Sequence, residues 1–267
     1  MGPGLIRPQW PDAPANVGAL VTTRRGGASS GHYDDGAGGG GLNLGLHVGD
    51  DAQTVQHNRA AVAAHLPGAP AWMAQVHGVT VIDAAGVVPG QPAPVADASI
   101  ATGPAVVCAV LTADCLPVLF ADLAGNVIGA AHAGWRGLSA GVLGDTVAAM
   151  RAAGAGEITA WLGPAIGPAQ FEVGLDVLEC FLARARTVAD AAQVRAAFAP
   201  LAGRPGKFLA DIYALARHLL ARDGVTRVWG GQLCTATATA NATARFYSYR
   251  RDGVTGRQAS LIWLKPD

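Results

Sequence analysis

Long apolar runs, cut by glycine, proline and acidic turns, set the rhythm of this chain. "ASIATGPAVVCAVLTADCLPVLFAD" (98–122) and "NVIGAAHAG" (126–134) are continuous and rich in β-branched residues. Such runs predict strands covered on both faces. "VGALV", "AWMAQVHG" and "VTVIDA" predict shorter strands, the last two split by a turn at Gly78. "EITAWLGPAIG", "VTRVWGGQLCT", "RFYSYRRDG" and "QASLIWL" predict four more.

Helical spacing alternates with these runs. Asp50 or Asp51 is placed to cap a helix reaching about His65, which Pro67-Gly68 ends. "LSAGVLGDTVAAMRAAG" has apolar positions at helical spacing, with Gly154 at its end. Residues 174–199 predict one or two helices, and "FLADIYALARHLLARDG" an amphipathic helix closed by Gly224. Several strands adjoin in sequence, so the pattern is not a regular strand–helix alternation. It predicts an α/β fold, a single domain over residues 1–267, with mixed β-sheets flanked by helices.

Composition narrows the function classes. The chain is 51% hydrophobic and 14% charged, ample for a large core. Its 19 basic and 19 acidic residues cancel, which argues against nucleic acid as a partner. No apolar run reaches the ~18 residues of a membrane span. The N-terminal stretch has no secretory signal pattern, and Ile6 stands where N-myristoylation after Gly2 needs Ser or Thr. Cys108, Cys115, Cys180 and Cys234 are far apart, as in a reduced, cytoplasmic protein. The tract Gly36–Gly41 reads as a flexible loop tip. It lacks the Lys-Ser/Thr of a phosphate loop.

The candidate chemistry lies at strand ends. His77 and His132 each close an apolar run and are followed by Gly or Ala-Gly; Cys115 is similarly placed before Pro117. Together they form a Cys-His-His set that suits a catalytic-type zinc site. The same residues also suit a Cys115 nucleophile with His132 or His77 as its base. Asp114 is then a candidate orienter, although strand alternation turns neighbours to opposite faces. Arg136 precedes a helix start predicted near Leu138–Ala140 and suits an anion such as phosphate. His57, His65 and His218 read as ordinary helix residues, Cys108 and Cys180 as core. His32 and His47, in the glycine-rich segment, are placed to face a pocket.

A set of motifs then appears in a familiar order: "TTRRGGAS", "LNLGLHVGDD", "WMAQVHG", "ADASIAT", "LTADCLPVLFAD", "AAHAGWRG", "WLGPAIG", "FLADIYALAR" and "FYSYRRDGVTGRQASLIWL". From about residue 17 to 264 the chain resembles the YfiH family, also called laccase-domain proteins, polyphenol oxidase, purine nucleoside phosphorylase or peptidoglycan editing factor. It departs from the family at Gly36–Gly41, where the link into "LNLG" is usually shorter. The resemblance implies a YfiH-like α/β fold, distinct from the cupredoxin fold of multicopper oxidases. It implies a metal site on His77, Cys115 and His132, usually zinc, with copper as the alternative. It also implies phosphorolysis of adenosine, inosine and methylthioadenosine, plus deamination of adenosine. The partners implied are a purine nucleoside and phosphate, in a monomer or weak homodimer. Arg24, Asn43 and Gln75 lie in family motifs and are candidate substrate or phosphate contacts.

Two other activities follow from the family's names. One is an amidase that edits peptidoglycan precursors, acting on a UDP-muramoyl-amino acid. The other is a copper-dependent polyphenol oxidase. The latter fits poorly, because seven histidines with no His-x-His pair are few for several coppers.

Overall fold

The computed structural model describes residues 4–240 and 242–266. In chain order the strands that build the frame are β1 (Leu5–Ile6), β2 (Val17–Thr22), β3 (Pro70–Ala71), β4 (Val81–Asp83), β5 (Ala98–Ala101), β6 (Val107–Thr112), β7 (Leu116–Asp122), β8 (Ile128–Ala133), β9 (Ile158–Leu162), β10 (Arg227–Gly230) and β11 (Gln258–Leu264). The helices are α1 (Ala52–Ala63), α2 (Trp135–Ala140), α3 (Val142–Ala152), α4 (Leu175–Leu182), α5 (Val188–Ala196), α6 (Ile212–Arg222) and α7 (Tyr249–Asp252).

Two mixed sheets carry the fold. The first has the order β1-β2-β11-β6-β3, the second β10-β9-β7-β8-β5-β4. Pairs are antiparallel except β3 with β6, β4 with β5, and β9 with β10. The strand β11 is inserted between β2 and β6, so Ser260 pairs with Val21 on one side and Val110 on the other.

The alternation of side chains explains why the central runs are apolar throughout. On β6, Cys108 and Val110 face the second sheet, where they join Leu119, Ala121, Ile128, Ala130 and Trp161. Val107, Ala109 and Leu111 face outward and pack with Leu42, Leu44 and Val62. On the far side of the second sheet, Val118, Phe120, Ala131 and Ala133 pack against Leu143, Val147, Met150, Leu215 and Leu219 of the helical layer. Both faces of both central strands are therefore covered, and a charged residue on either face would be buried.

Three local expectations are corrected. The first concerns "AWMAQVHG", which is a two-residue strand followed by irregular chain, with only a bridge at Ala74. There the Gln75 side chain does the work of a strand: it donates to Leu111 O at 2.8 Å and accepts from Leu111 N at 2.7 Å. The second is the predicted helix near 138–154, which is two helices that begin at Trp135 and break at Gly141, whose φ is 114°. "RFYSYRRDG" is not a strand: Phe246 and Tyr247 are buried, Ser248 accepts from the Arg251 amide, and α7 follows. The Gly36–Gly41 tract is a loop, as expected, in which Asp34 accepts from Gly36 N and Asp35 accepts from Ala37 N and Gly39 N. The Asp51 cap of α1 holds as expected, accepting from Thr54 N.

Candidate metal centre and cleft

The chain passes from the first sheet to the second twice near one point. It does so between β6 and β7, through Ala113, Asp114 and Cys115, and again between β3 and β4, through His77. His132 lies on β8 beside Pro117, its cross-strand partner on β7. It shares a face with Ile128 and Ala130, which look toward the first sheet. One ligand atom from each of His77, Cys115 and His132 lies within 4.8 Å of the other two. The structure thus brings together the trio singled out in the sequence. His132 and Cys115 sit on or beside strands as expected; His77 does not.

What places His77 is Asp97, a residue that the reading of the sequence missed. Asp97 is fully buried just before β5. Its carboxylate accepts from the amides of Val76 (3.1 Å), His77 (2.9 Å) and Gly78 (2.7 Å). These bonds hold His77 at φ 61°, a left-handed conformation uncommon for a residue other than glycine. The same carboxylate lies 2.8 Å from His132 Nδ1, and the Asp97 carbonyl accepts from His132 N at 2.7 Å. With Nδ1 engaged, Nε2 of His132 is the nitrogen left for Cys115 and the trio. Such carboxylate support orients a metal-binding imidazole and raises its basicity. The "ADAS" motif was the available signal, but a lone Asp before a strand looks like a turn residue.

The charges within the trio reinforce one another. Burial pushes the Cys115 thiol up, but the neighbouring His132 charge and hydrogen bonds to His132 and His77 overcome it, bringing the thiol to about 6. Burial pushes His132 down, but Cys115 and Asp97 overcome it, raising the imidazole to about 9. Burial would raise Asp97, yet the bonds from His132, Gly78 and Val76 hold its carboxyl below the usual range.

Two nitrogens and one thiolate facing an open cleft form a donor set that fits zinc, and also copper. Gly134 leaves the cradle free. A Cβ there would stand 2.6 Å from His77 Nδ1 and 3.0 Å from Cys115 Sγ.

The trio lies in a cleft of about 410 Å³, a size suited to a small-molecule ligand. Leu111, Ile166, Phe171 and Ile212 give it apolar walls, and Arg136, Arg250 and Arg257 give it positive charge. His47 also lines it, as expected, its pKa pushed down by desolvation and then by the charges of Arg257, Arg59 and His132. Arg136 stands in the first turn of α2, not before the helix, with its guanidinium 4.3 Å from the centre of the Trp135 ring. Arg250 donates to Gln170 O and Glu172 O, and Arg257 to Thr255 O and Gly256 O. Gln75 lines the cleft with its amide committed to Leu111. Asp114, at φ 87°, does not serve the Cys115 thiol. Its oxygens accept from the Thr235 hydroxyl and, at 2.7 Å, from Arg250 N.

Arg24 and Asn43 stand outside the cleft lining. Arg24 is buried, donating to Asp34 O and Asp34 Oδ1 and lying 3.8 Å from Asp252. Asn43 accepts from Arg257 N at 2.8 Å and donates to Asp50. It therefore touches the cleft only through Arg257.

Comparison with known proteins gives a consistent result. Residues 18–265 match the family described as multi-copper polyphenol oxidoreductase laccase. The chain is 50% identical to a purine nucleoside phosphorylase of Pseudomonas aeruginosa over 262 residues, covering 97% of this chain and 98% of that protein. It is also 50% identical, over 264 residues and the same shares, to the purine nucleoside phosphorylase YfiH of Escherichia coli. A Neisseria meningitidis protein of the DUF152 family superposes with a TM-score of 0.84 at 47% identity, over 98% of this chain and all of that one. Among the described residues no helix is long and apolar enough to cross a membrane.

Proposed function

The chain belongs to the YfiH family of laccase-domain proteins, and on that premise we propose that it is a zinc-dependent purine nucleoside phosphorylase. Its substrates are adenosine, inosine and methylthioadenosine, and it also deaminates adenosine. The supporting observation is the placing of one N/S/N donor trio in an arginine-lined cleft with apolar walls. The 50% identity to relatives named purine nucleoside phosphorylase supports the same reading. A laccase needs several copper ions, whereas a single three-donor cluster is found among the described residues.

In phosphorolysis a phosphate oxygen bonds to C1′ as the C1′–N bond breaks. The electron pair departs on the purine, which takes up a proton. Arg136 is the cleft arginine whose guanidinium has no hydrogen-bond partner among the described residues, so it is free to bind the phosphate. Arg250 and Arg257, held by backbone carbonyls, add fixed positive potential that favours the dianion. Leu111, Ile166, Phe171 and Ile212 exclude water from C1′, which limits hydrolysis as a competing outcome. His77, Cys115 and His132 would hold the zinc, and Asp97 keeps the His132 ring turned toward it. Zinc bound there supplies Lewis-acid stabilisation of charge developing on the substrate. The reading takes residues 1–267 as one domain, working in the cytoplasm as a monomer or weak homodimer.

The test is product analysis by mass spectrometry. Purified protein and a Cys115→Ala control are incubated with adenosine, with and without phosphate. Adenine and ribose 1-phosphate are expected only with phosphate and only from the native protein, with inosine marking deamination. No turnover would overturn the proposal. Release of an amino acid from a UDP-muramoyl-amino acid in the same assay would install the editing amidase in its place.

A further inference from the structure

Three large aromatic rings line the cleft: Trp135, Phe171 and Tyr249. A purine needs an open aromatic face to stack on, and two of the three are taken. The Arg136 guanidinium lies over Trp135, 4.3 Å from the ring centre. Phe171 is only 8% exposed and has the Arg250 guanidinium 5.9 Å from its ring centre. Tyr249 is 64% exposed, and its hydroxyl makes no hydrogen bond among the described residues. Leaving an aromatic ring in water at the mouth of a cleft forfeits burial that the fold could have had.

The backbone beneath this ring is nevertheless held firmly. The amide of Arg250, the next residue, donates to Asp114 Oδ2 at 2.7 Å, and Asp114 adjoins Cys115. The Arg250 side chain is pinned to Gln170 O and Glu172 O, both at 2.9 Å. At the other end of α7, Asp252 receives Arg251 and faces Arg24. An exposed ring on a braced backbone is pre-organised for a flat ligand, because little order remains to be imposed on binding.

We propose that Tyr249 is the residue that stacks on the purine base, with Asp114 and Arg250 as the positioning residues that fix it relative to Cys115. This inference rests on the nucleoside reading of the cleft and assigns the base subsite within it. Stacking tolerates differences between bases, since every base offers a π-face. The subsite therefore discriminates little between adenine and hypoxanthine.

The test is direct binding of 2-aminopurine riboside, followed by its fluorescence, to the native protein and to Tyr249→Phe and Tyr249→Ala. Native protein and Tyr249→Phe are expected to quench the probe and bind it alike. Tyr249→Ala is expected to lose about tenfold or more in affinity, with bound metal and the KM for phosphate unchanged. Equal binding by native protein and Tyr249→Ala would overturn the assignment. Failure of the native protein to bind the probe would instead overturn the nucleoside reading itself. Asp114→Asn is expected to weaken probe binding with the metal retained; unaltered binding would remove Asp114 from the positioning role.

Discussion

Asp97 Oδ1 and His132 Nδ1 lie 2.8 Å apart, and the same carboxylate holds the three amides on either side of and at His77. One buried side chain thus sets two of the three donors. Replacing it acts on both at once. Asp97→Asn is expected to weaken metal binding by about 10–100-fold, the usual effect of losing such a supporting contact. Competition against a chelating dye measures it. Metal affinity equal to that of the native protein would show that the trio is fixed by other means.

The coupled pair Cys115 and His132 predicts a pH window for the metal-free protein. Cys115 is depressed from its ordinary 9.0 to about 6, so its contribution to stability is complete above 9.0 and is lost as pH falls through about 6. His132 is raised from 6.5 to about 9, so its contribution is complete below 6.5 and is lost as pH rises through about 9. Thiolate and imidazolium therefore coexist between about 6 and about 9. Ultraviolet titration of the metal-free protein is expected to show thiolate absorbance appearing near pH 6. In His132→Ala it should appear at higher pH. Absorbance that rises only in the ordinary thiol range would contradict the pairing.

Gly134→Ala tests the cradle without removing any donor. The new methyl would stand 2.6 Å from His77 Nδ1. Gly134 has φ −59°, which alanine adopts readily, and is the cap of a short helix without a side-chain bond. Metal uptake is expected to fall at least about tenfold, while the change of helix cap costs about 1 kcal/mol of stability. Metal analysis and a urea melt on the same preparation separate the two. A melt shifted as strongly as metal uptake would point to general damage.

Arg24→Met separates bracing from binding. The guanidinium joins the glycine-rich turn, through Asp34, to α7, through Asp252. Losing its bonds and leaving Asp34 O unmatched is expected to cost about 2 kcal/mol of stability. Metal content should stay native, since the residue lies outside the cleft lining. Loss of bound metal in a protein that still melts normally would place Arg24 in the site after all.

How much of this was legible in the sequence depended on where each determinant lies. His132 and Cys115 stood out because each closes a continuous apolar run, with Ala-Gly following one and Pro117 following the other. The two-faced burial of β6, β7 and β8 was legible for the same reason. His77 was found, but as a strand residue; its real support comes from Asp97, twenty positions away, and no local pattern encodes that. Arg24 and Asn43 sit in motifs that suggest ligand contact. Only the fold reveals that Asp34, Asp252 and Arg257 take up their polar groups. The segment holding Tyr249 alternates like a strand, yet burial of Phe246 and Tyr247 and the Ser248 cap turn it into a helix.

The insertion of β11 between β2 and β6 also orders events in time. β2 and β6 form no ladder with each other; each pairs with residues 258–264 instead. No hairpin can zip this sheet closed, and non-local pairing of this kind is slow. Cys115 joins the end of β6 to the start of β7, so both that clasped strand and the β7–β8 pair that carries His132 must form before its place is fixed. Before both sheets are in place an arriving ion meets an incomplete donor set and leaves again quickly. A retained ion is therefore a marker of completed assembly, and its uptake during refolding should lag behind the formation of helices.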